Sequence, residues 1–198
     1  MKKVIGITGG IASGKSNIIK LLSEMGFYTL SADLIAKELS FIGMPIYEKI
    51  VDTFGKDYLT PTGNLDRNKM AKYIFSDSEA REKLNKISHP IIRETLEKRI
   101  KNADYSYIFI EVPLLFEAKF DDLCDYTICV YLPFELQRER LALRDNITLE
   151  EAERRINTQL SLSEKANLCD YVIDSSGDFS QTKDQLLNIL ERIFEQNE

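Results

Sequence analysis

A glycine-rich turn between an apolar strand and a helix is the feature that most narrows the folds open to this chain. Residues 4–8 read VIGIT, a short β-branched run that predicts a buried strand. Residues 16–25 then carry apolar side chains at helical spacing. Between them, residues 9–16 read GGIASGKS and match G-x-x-x-x-G-K-[ST] in the strand–turn–helix context that this pattern requires. The sequence therefore predicts a phosphate-binding loop, with a glycine-rich turn that matches by accident as the alternative.

The residue types of this loop suit the binding of phosphate. Glycines let successive backbone N–H groups approach phosphate oxygens, and a helix that begins near Lys15 adds donors and partial positive charge. Lys15 supplies a point charge for the terminal phosphates, and the Ser16 hydroxyl suits Mg²⁺, which prefers oxygen ligands. We therefore expect ATP, with Mg²⁺ on Ser16. The expected ATP-binding residues of the loop and helix start are Gly10, Ile11, Ala12, Ser13, Gly14, Lys15, Ser16 and Asn17.

The rest of the chain alternates between apolar strands and helices. Further strands are predicted at 27–30, 107–112, 126–132 and 171–173. Because these strands are apolar throughout, they predict a parallel sheet covered by helices on both faces. The expected fold is α/β, a three-layer fold of the P-loop nucleotide-kinase type with a five-stranded parallel sheet.

Two helical regions interrupt this framework. Residues 34–102 carry four helical patterns and are too long for a simple crossover, so they predict an inserted helical subdomain. Residues 134–160 are predicted to be helical and bear arginines, and 182–194 predict a closing helix. The predicted division is a nucleotide-binding core of 1–33, 103–133 and 166–198, an acceptor-binding insert of 34–102, and a lid of 134–165.

Composition sets limits on partners and location. A net charge of −6 argues against a general nucleic-acid binder, and no apolar run approaches the length of a membrane span. The first ten residues lack the apolar stretch of a signal peptide, and the three cysteines form no CxxC pair, which favours free thiols in a reducing compartment. We expect a cytoplasmic monomer or weak homo-oligomer with no nucleic-acid or membrane partner.

The features beyond the loop favour a small-molecule kinase among the users of nucleoside triphosphates. A GTPase would carry Asn-Lys-x-Asp, but residues 85–88 read NKIS, and the signature helix of a transporter ATPase is absent. An insert and a lid suit a kinase that must exclude water. The alternatives are a kinase of another nucleotide or small metabolite, and an interaction protein that binds ATP without useful turnover.

Several side chains have two interpretations each. Asp33, just beyond the second strand, is either the base for an attacking hydroxyl or the N-cap of the next helix. Glu111 either helps to hold Mg²⁺ through water or ends in a salt bridge. His89 is predicted to have a structural role or to contact the acceptor, because phosphoryl transfer depends mainly on positioning and charge.

Arginines cluster after the fourth strand. Arg140 and Arg144 are four residues apart and share a helix face, where guanidinium groups can clamp phosphates. Glutamates are interspersed through the same region, so the alternative is a solvated face of ion pairs.

Further motifs are spread over nearly the whole chain: GITGGIASGKS at 6–16, GNLDR at 63–67, HP at 89–90, VPLLFE at 112–117, Gln137 with Arg140, and Arg144 with Asp145. In their order and spacing they resemble the dephospho-coenzyme A kinase family. The resemblance implies that the acceptor is the ribose 3′-hydroxyl of dephospho-coenzyme A, and that the helical insert binds it. It also implies that Asp33 is the base, Lys15 the phosphate clamp and Arg140 the lid arginine that reaches ATP, with Arg144 supporting it.

The chain departs from the family pattern at three positions. Ser31 stands where the family usually has aspartate, so any role of that first acid is absent or altered. Asn17 replaces threonine, and Ala12 replaces glycine. Ala12 is therefore expected at a backbone angle that tolerates a Cβ.

Overall fold

The computed structural model of the protein describes residues 2–196, which form two compact units. The first unit combines the chain up to Thr29 with the chain from Asp104 onward. The second unit is the continuous segment from Leu30 to Ala103.

The five predicted strands are present and form one parallel sheet in the order β2-β3-β1-β4-β5. Their bounds differ from the predicted ones by one or two residues, and the predicted fold class is confirmed. In the register of the central strand, Ile7 lies beside Glu111 on one side and beside Ile128 on the other. The strands are β1 (Lys3–Gly9), β2 (Tyr28–Ser31), β3 (Tyr107–Glu111), β4 (Tyr126–Tyr131) and β5 (Tyr171–Asp174).

Helices account for most of the remaining chain, and the predicted helical segments of the insert are all present. Within residues 2–196 the α-helices are α1 (Lys15–Glu24), α2 (Ala32–Glu38), α3 (Pro45–Phe54), α4 (Arg67–Ser76), α5 (Ser78–Asn102), α6 (Phe134–Asp145), α7 (Leu149–Ile156), α8 (Leu162–Leu168) and α9 (Phe179–Glu195).

The predicted helical stretch over 134–160 is divided into two helices. Helix α6 ends at Asn146, whose φ of 51° is left-handed, and Thr148 begins α7 by accepting a hydrogen bond from Glu151 N at 3.2 Å. Helix α8 was not predicted. It begins at a capping box between Ser161 and Glu164 and runs through residue 165, where the predicted lid ends.

The core of the first unit lies between the sheet and helices α1 and α9. Ile5 and Ile7 of β1, Phe109 of β3 and Val130 of β4 are fully buried, and they pack with apolar residues of both helices. Burial of side chains this large is the main source of stability for such a layer. The end of β1, where the phosphate-binding loop begins, is therefore held by a packed sheet.

The predicted free thiols are confirmed, although only Cys129 is fully buried, while Cys124 and Cys169 are half-buried. No helix in the part of the chain that the structure describes is long and apolar enough to cross a bilayer.

The second unit is built from α2, α3, α4 and α5. Helices α2, α4 and α5 begin at residues whose side chains cap the first turn, including Asp66 on α4 and Asp77 on α5. Helix α5 continues through Pro90, and Arg99 near its end forms an ion pair with Glu38 of α2 at 2.8 Å.

Candidate active site

The phosphate-binding loop follows β1 directly and depends on two glycines. A Cβ on Gly9 would lie 2.7 Å from the backbone oxygen of Val130, and a Cβ on Gly10 would lie 2.2 Å from Gln137 Nε2. The loop thus packs against β4 and α6 at distances that side chains do not allow. Gly14, at a φ of 94°, precedes the first residue of α1.

Lys15 is folded back over the loop. Its side chain is largely buried, with the residue 8% exposed, and Nζ donates hydrogen bonds to Gly9 O at 3.0 Å and Gly10 O at 2.7 Å. Ser16 and Asn17 are exposed at the start of α1. The positive end of the helix and the ammonium group therefore face the same loop, an arrangement that attracts phosphate.

Ala12 has a φ of 61°, in the left-handed region that glycine favours. That region accepts a Cβ only at a cost of roughly 1–2 kcal/mol. The expectation that Ala12 lies at a backbone angle that tolerates a Cβ is therefore wrong.

Ala12→Gly should raise the free energy of unfolding by about 0.5–1 kcal/mol, because relief of the strain exceeds the added entropy of the unfolded chain. Chemical denaturation measures the change. Ala142→Gly, inside α6, is the matched control and should lower stability by about 1 kcal/mol. An Ala12→Gly variant that is less stable than the parent would contradict the strain argument.

Arg140 is connected to the phosphate-binding loop through Ser175. Its Nη2 donates to Ser175 O at 3.0 Å, and the Ser175 hydroxyl lies 2.8 Å from Ser13 O. The sequence suggested residues 174–177 only as adenine contacts and did not predict that Ser175 joins Arg140 to the loop. A signal for it existed, because it is the first residue after β5, where ligands of parallel sheets collect.

Gln137 is a second residue whose role the sequence did not reveal. Its side chain is buried, and Nε2 donates to Ile11 O in the loop at 2.8 Å. Gln137 lies one turn before Arg140 and Leu141 of α6. Helix α6 therefore contacts the loop through Gln137 and carries Arg140 about one turn later.

The other arginines of α6 and α7 are paired with carboxylates. Arg138 pairs with Glu135 and Glu153, and Arg154 pairs with Glu151. For these two residues, the solvated-face interpretation is correct.

Arg144 and Arg155 share Asp145 as a partner. Arg144 Nε lies 2.8 Å from Asp145 Oδ1, and Arg155 Nη1 lies 3.1 Å from Oδ2. The hydrogen bond from Arg144 lowers the pKa of the Asp145 carboxyl, so the pair is charged at neutral pH. Arg140, by contrast, has no carboxylate partner within residues 2–196.

Asp33 and His89, the predicted acceptor contacts, both belong to the second unit. Asp33 is exposed in the first turn of α2, but it is not the N-cap. Ser31 holds that position, and its Oγ accepts a hydrogen bond from Leu34 N at 3.4 Å. The capping interpretation of Asp33 is therefore wrong. His89 is half-buried in α5, and this burial lowers its pKa, so the ring is neutral at physiological pH.

Glu111 ends β3, beside the strand that leads into the loop. It is 9% exposed, and within residues 2–196 its carboxylate has neither an ion pair nor a side-chain hydrogen bond. The salt-bridge interpretation of Glu111 is therefore wrong. An oxygen ligand at this end of the sheet suits a hydrated divalent cation.

A parallel sheet whose central strand leads into a lysine-bearing phosphate loop, with an arginine beside the loop, is the framework of P-loop kinases that act on small molecules. The chain has the fold of that class. A shikimate kinase of Acinetobacter baumannii, 16% identical, superposes on 99% of this chain and 95% of its own with a TM-score of 0.55, which is a likeness of fold alone.

Sequence comparison narrows the class. The sequence model of the family described as dephospho-CoA kinase matches residues 3–181. A dephospho-CoA kinase of Carboxydothermus hydrogenoformans is 44% identical over 96% of this chain and 93% of its own. The solved dephospho-CoA kinase of Campylobacter jejuni is 29% identical, with a TM-score of 0.71 over the full length of both chains. The chain belongs to the dephospho-CoA kinase family.

Proposed function

We propose that the protein transfers the γ-phosphoryl group of ATP to the ribose 3′-hydroxyl of dephospho-coenzyme A, giving coenzyme A and ADP. This is the final step of coenzyme A biosynthesis. The observation that supports it most directly is family membership, together with a phosphate-binding loop that keeps both Lys15 and Ser16. In the transfer, the bond between the γ-phosphorus and the β,γ-bridging oxygen breaks, and a new bond to the 3′-oxygen forms.

The charged side chains divide the work of this transfer. Lys15 holds the terminal phosphates, and Arg140 stabilises the charge that develops on the transferred group. Asp33 accepts the proton of the 3′-hydroxyl and orients it. Asp33 is exposed in the first turn of α2, and the N-cap of that helix is Ser31.

The remaining phosphate contacts come from the loop and α6. The backbone from Gly10 to Ser16 binds the phosphates, with Asn17 following at the helix start. Arg144 supports Arg140 from one turn further along α6. Its pairing with Asp145 favours an indirect role, in which Arg144 orients the end of the helix.

The oxygen ligands available in the first unit suit Mg²⁺. The exposed Ser16 hydroxyl and the unpaired Glu111 carboxylate are hard ligands, and the described residues hold no cluster of three acidic, histidine or cysteine side chains. Such a sparse set fits Mg²⁺, which keeps several waters and binds substrate phosphates. Ser16 would hold the ion directly and Glu111 through water. The ion would neutralise charge on the β- and γ-phosphates.

The second unit is the acceptor-binding part of the protein, with His89 contributing to its acceptor site. The part of the chain over 134–165 acts as the lid. We place the enzyme in the cytoplasm as a monomer or weak homo-oligomer, without a nucleic-acid or membrane partner, in keeping with its net charge of −6.

An acceptor panel tests the proposed activity. The purified protein is incubated with ATP and Mg²⁺, and ADP release is measured with dephospho-coenzyme A, shikimate, and several nucleosides and nucleotides. Release that depends on dephospho-coenzyme A, with coenzyme A as the product, supports the proposal. Faster release with a different acceptor would instead support a kinase of another metabolite, and no acceptor-dependent release would support a binding protein.

Arg140→Gln should lower kcat by about 10²-fold and change acceptor binding much less, because the guanidinium acts where charge develops. Steady-state kinetics at saturating ATP measures this. Arg154→Gln is the matched control, since Arg154 is an exposed arginine paired with Glu151, and its kcat should stay near the parent value. Equal kcat values for both variants would remove Arg140 from the mechanism.

A further inference from the structure

The second unit contains a cavity to which the proposed function assigns no particular group of the acceptor. It has a volume of about 290 Å³ and lies among α2, α3, α4 and α5. Its wall is mostly aliphatic, and the apolar side chains that matter below are Ile46, Ile50, Leu65, Met70, Ile74 and Leu84. Three charged residues also line the cavity: Asp33, Lys37 and Arg67. The size and the mixture of an apolar wall with a few charges are those of a small-molecule site.

Two of these three charged residues, Lys37 and Arg67, are cations. Arg67 Nη2 donates to the backbone oxygen of Lys37 at 2.9 Å, and its guanidinium lies 5.9 Å from the centre of the Phe41 ring. Within residues 2–196, neither Lys37 nor Arg67 forms an ion pair with a carboxylate. Arg99 in the same unit does so, with Glu38 at 2.8 Å. Two exposed cations that line one cavity, neither of them ion-paired within residues 2–196, can bind an anion.

The position of Asp33 indicates how an acceptor would be oriented at this anion site. Asp33 and Lys37 are four residues apart on α2, so they share a face of the helix. A hydroxyl that Asp33 deprotonates must lie within hydrogen-bond reach of its carboxylate. In dephospho-coenzyme A, the ribose that bears this hydroxyl is joined through C5′ to the diphosphate, and the diphosphate is joined to the pantetheine arm. The cavity presents a base, two cations and an aliphatic wall for these three groups.

We propose that Lys37 and Arg67 bind the diphosphate of the acceptor and that the aliphatic cavity holds its pantetheine arm. The assignment rests on the proposed function, because it takes dephospho-coenzyme A as the acceptor. It makes the second unit the part of the enzyme that selects a nucleotide with a pantetheine arm on its 5′-diphosphate. Selectivity then comes from filling the cavity, since an acceptor that lacks the arm leaves the aliphatic wall exposed to water.

The wall of the cavity suits the arm better than it suits adenine. In the described part of the chain, no residue that lines the cavity is aromatic, so a base would find no ring on which to stack. The two hydroxyls of the lining, on Ser40 and Ser88, already donate to the backbone oxygens of Ala36 and Leu84. They retain acceptor capacity, which suits the amide N–H groups of the arm. The aliphatic side chains suit its methyl groups.

Binding of 4′-phosphopantetheine, which has the arm and a phosphate but no adenosine, tests the assignment. Its dissociation constant is measured by competition with dephospho-coenzyme A. The parent should bind this probe, and Lys37→Gln and Arg67→Gln should each weaken both ligands about tenfold, the scale of one charge-assisted hydrogen bond. The matched control is Lys72→Gln, an exposed lysine of α4 outside the cavity, which should bind both ligands as the parent does.

A substitution that fills the cavity tests whether the pantetheine arm or the adenine binds there. Ala71→Leu narrows the wall and should weaken 4′-phosphopantetheine and dephospho-coenzyme A by a similar factor, with ATP binding unchanged. If Ala71→Leu melts below the assay temperature, Ala36→Leu replaces it, since Ala36 also lines the cavity. Weaker binding of dephospho-coenzyme A alone would place the adenine in the cavity and overturn the proposal, as would a parent that does not bind 4′-phosphopantetheine.

The parent's turnover of dephospho-coenzyme A is measured in parallel. If coenzyme A forms and the binding predictions fail, the pocket assignment is wrong and the proposed function stands. If no coenzyme A forms, the proposed function itself is wrong.

Discussion

Replacing Lys15 with alanine should lower kcat for coenzyme A formation by about 10³-fold. The ammonium group lies over the phosphate-binding loop, where Gly9 O and Gly10 O hold it. Removing a charge that faces the transferred phosphoryl group costs its stabilisation of the transition state, and such losses are usually about 10²–10³-fold. Single-turnover kinetics with bound ATP measures the chemical step directly.

A second consequence of Lys15→Ala is a loss of stability, because two backbone oxygens of the loop lose their donor. The cost should be about 1–3 kcal/mol. Lys15→Gln separates this loss from the loss of charge, since the amide can still donate to the loop but carries no charge. It should be nearly as stable as the parent and as inactive as the alanine variant.

Lys20→Ala is the matched control, because Lys20 is an exposed lysine of the same helix, paired with Glu24 at 3.8 Å. It should keep parental kinetics. Parental turnover in a folded Lys15→Gln variant would remove the lysine from the mechanism and leave the loop with a structural role only.

The sheet and the loop were predictable because their signals are local. An apolar run such as VIGIT, followed by glycines and a helical pattern, contains within about 20 residues the information that defines β1, the loop and α1. The order of the strands in the sheet was not predictable from local signals. The central place of β1 between β3 and β4 depends on pairings across about a hundred residues.

The contacts that support the site were not predictable, for the same reason. The bond from Gln137 to Ile11 spans 126 residues of chain, and the contact from Ser175 to Ser13 spans 162. Nothing in the local pattern of α6 distinguishes Arg140, which reaches Ser175, from Arg138, which pairs with two glutamates. The resemblance to the family had implied Arg140, and within residues 2–196 the folded structure shows Arg138 in ion pairs with carboxylates and Arg140 in none.

The break between α6 and α7 and the existence of α8 show a different limit. Asn146 adopts a left-handed conformation after α6, and Thr148 caps the start of α7. Both residue types are common at such positions. The signal was therefore present, but the charged, helix-favouring residues around it predicted one continuous segment. The capping box of Ser161 and Glu164 was a similar signal that marked α8.

The second large effect is expected for Asp33→Asn, which should lower kcat by about 10²-fold or more while stability stays near the parent value. Asparagine cannot accept the proton of the 3′-hydroxyl as a carboxylate does, and loss of a general base usually costs at least this factor. Since Ser31 caps α2, the variant keeps the capping hydrogen bond, and its weaker interaction with the helix dipole costs about 0.3–1 kcal/mol. ATP affinity should hardly change, because Lys15 and Ser16 remain.

Ser31→Ala is the reciprocal control for this prediction. It removes the hydrogen bond that the Ser31 hydroxyl accepts from Leu34 N and should lower the free energy of unfolding by about 1 kcal/mol. Its turnover should fall far less than that of Asp33→Asn, because the carboxylate remains. Asp33→Asn should therefore lower turnover with little change in stability, whereas Ser31→Ala should lower stability with a much smaller change in turnover. Thermal melting and steady-state kinetics on the same preparations measure both, and an Asp33→Asn enzyme that forms coenzyme A at the parental rate would end the assignment of Asp33 as the base without affecting membership of the family.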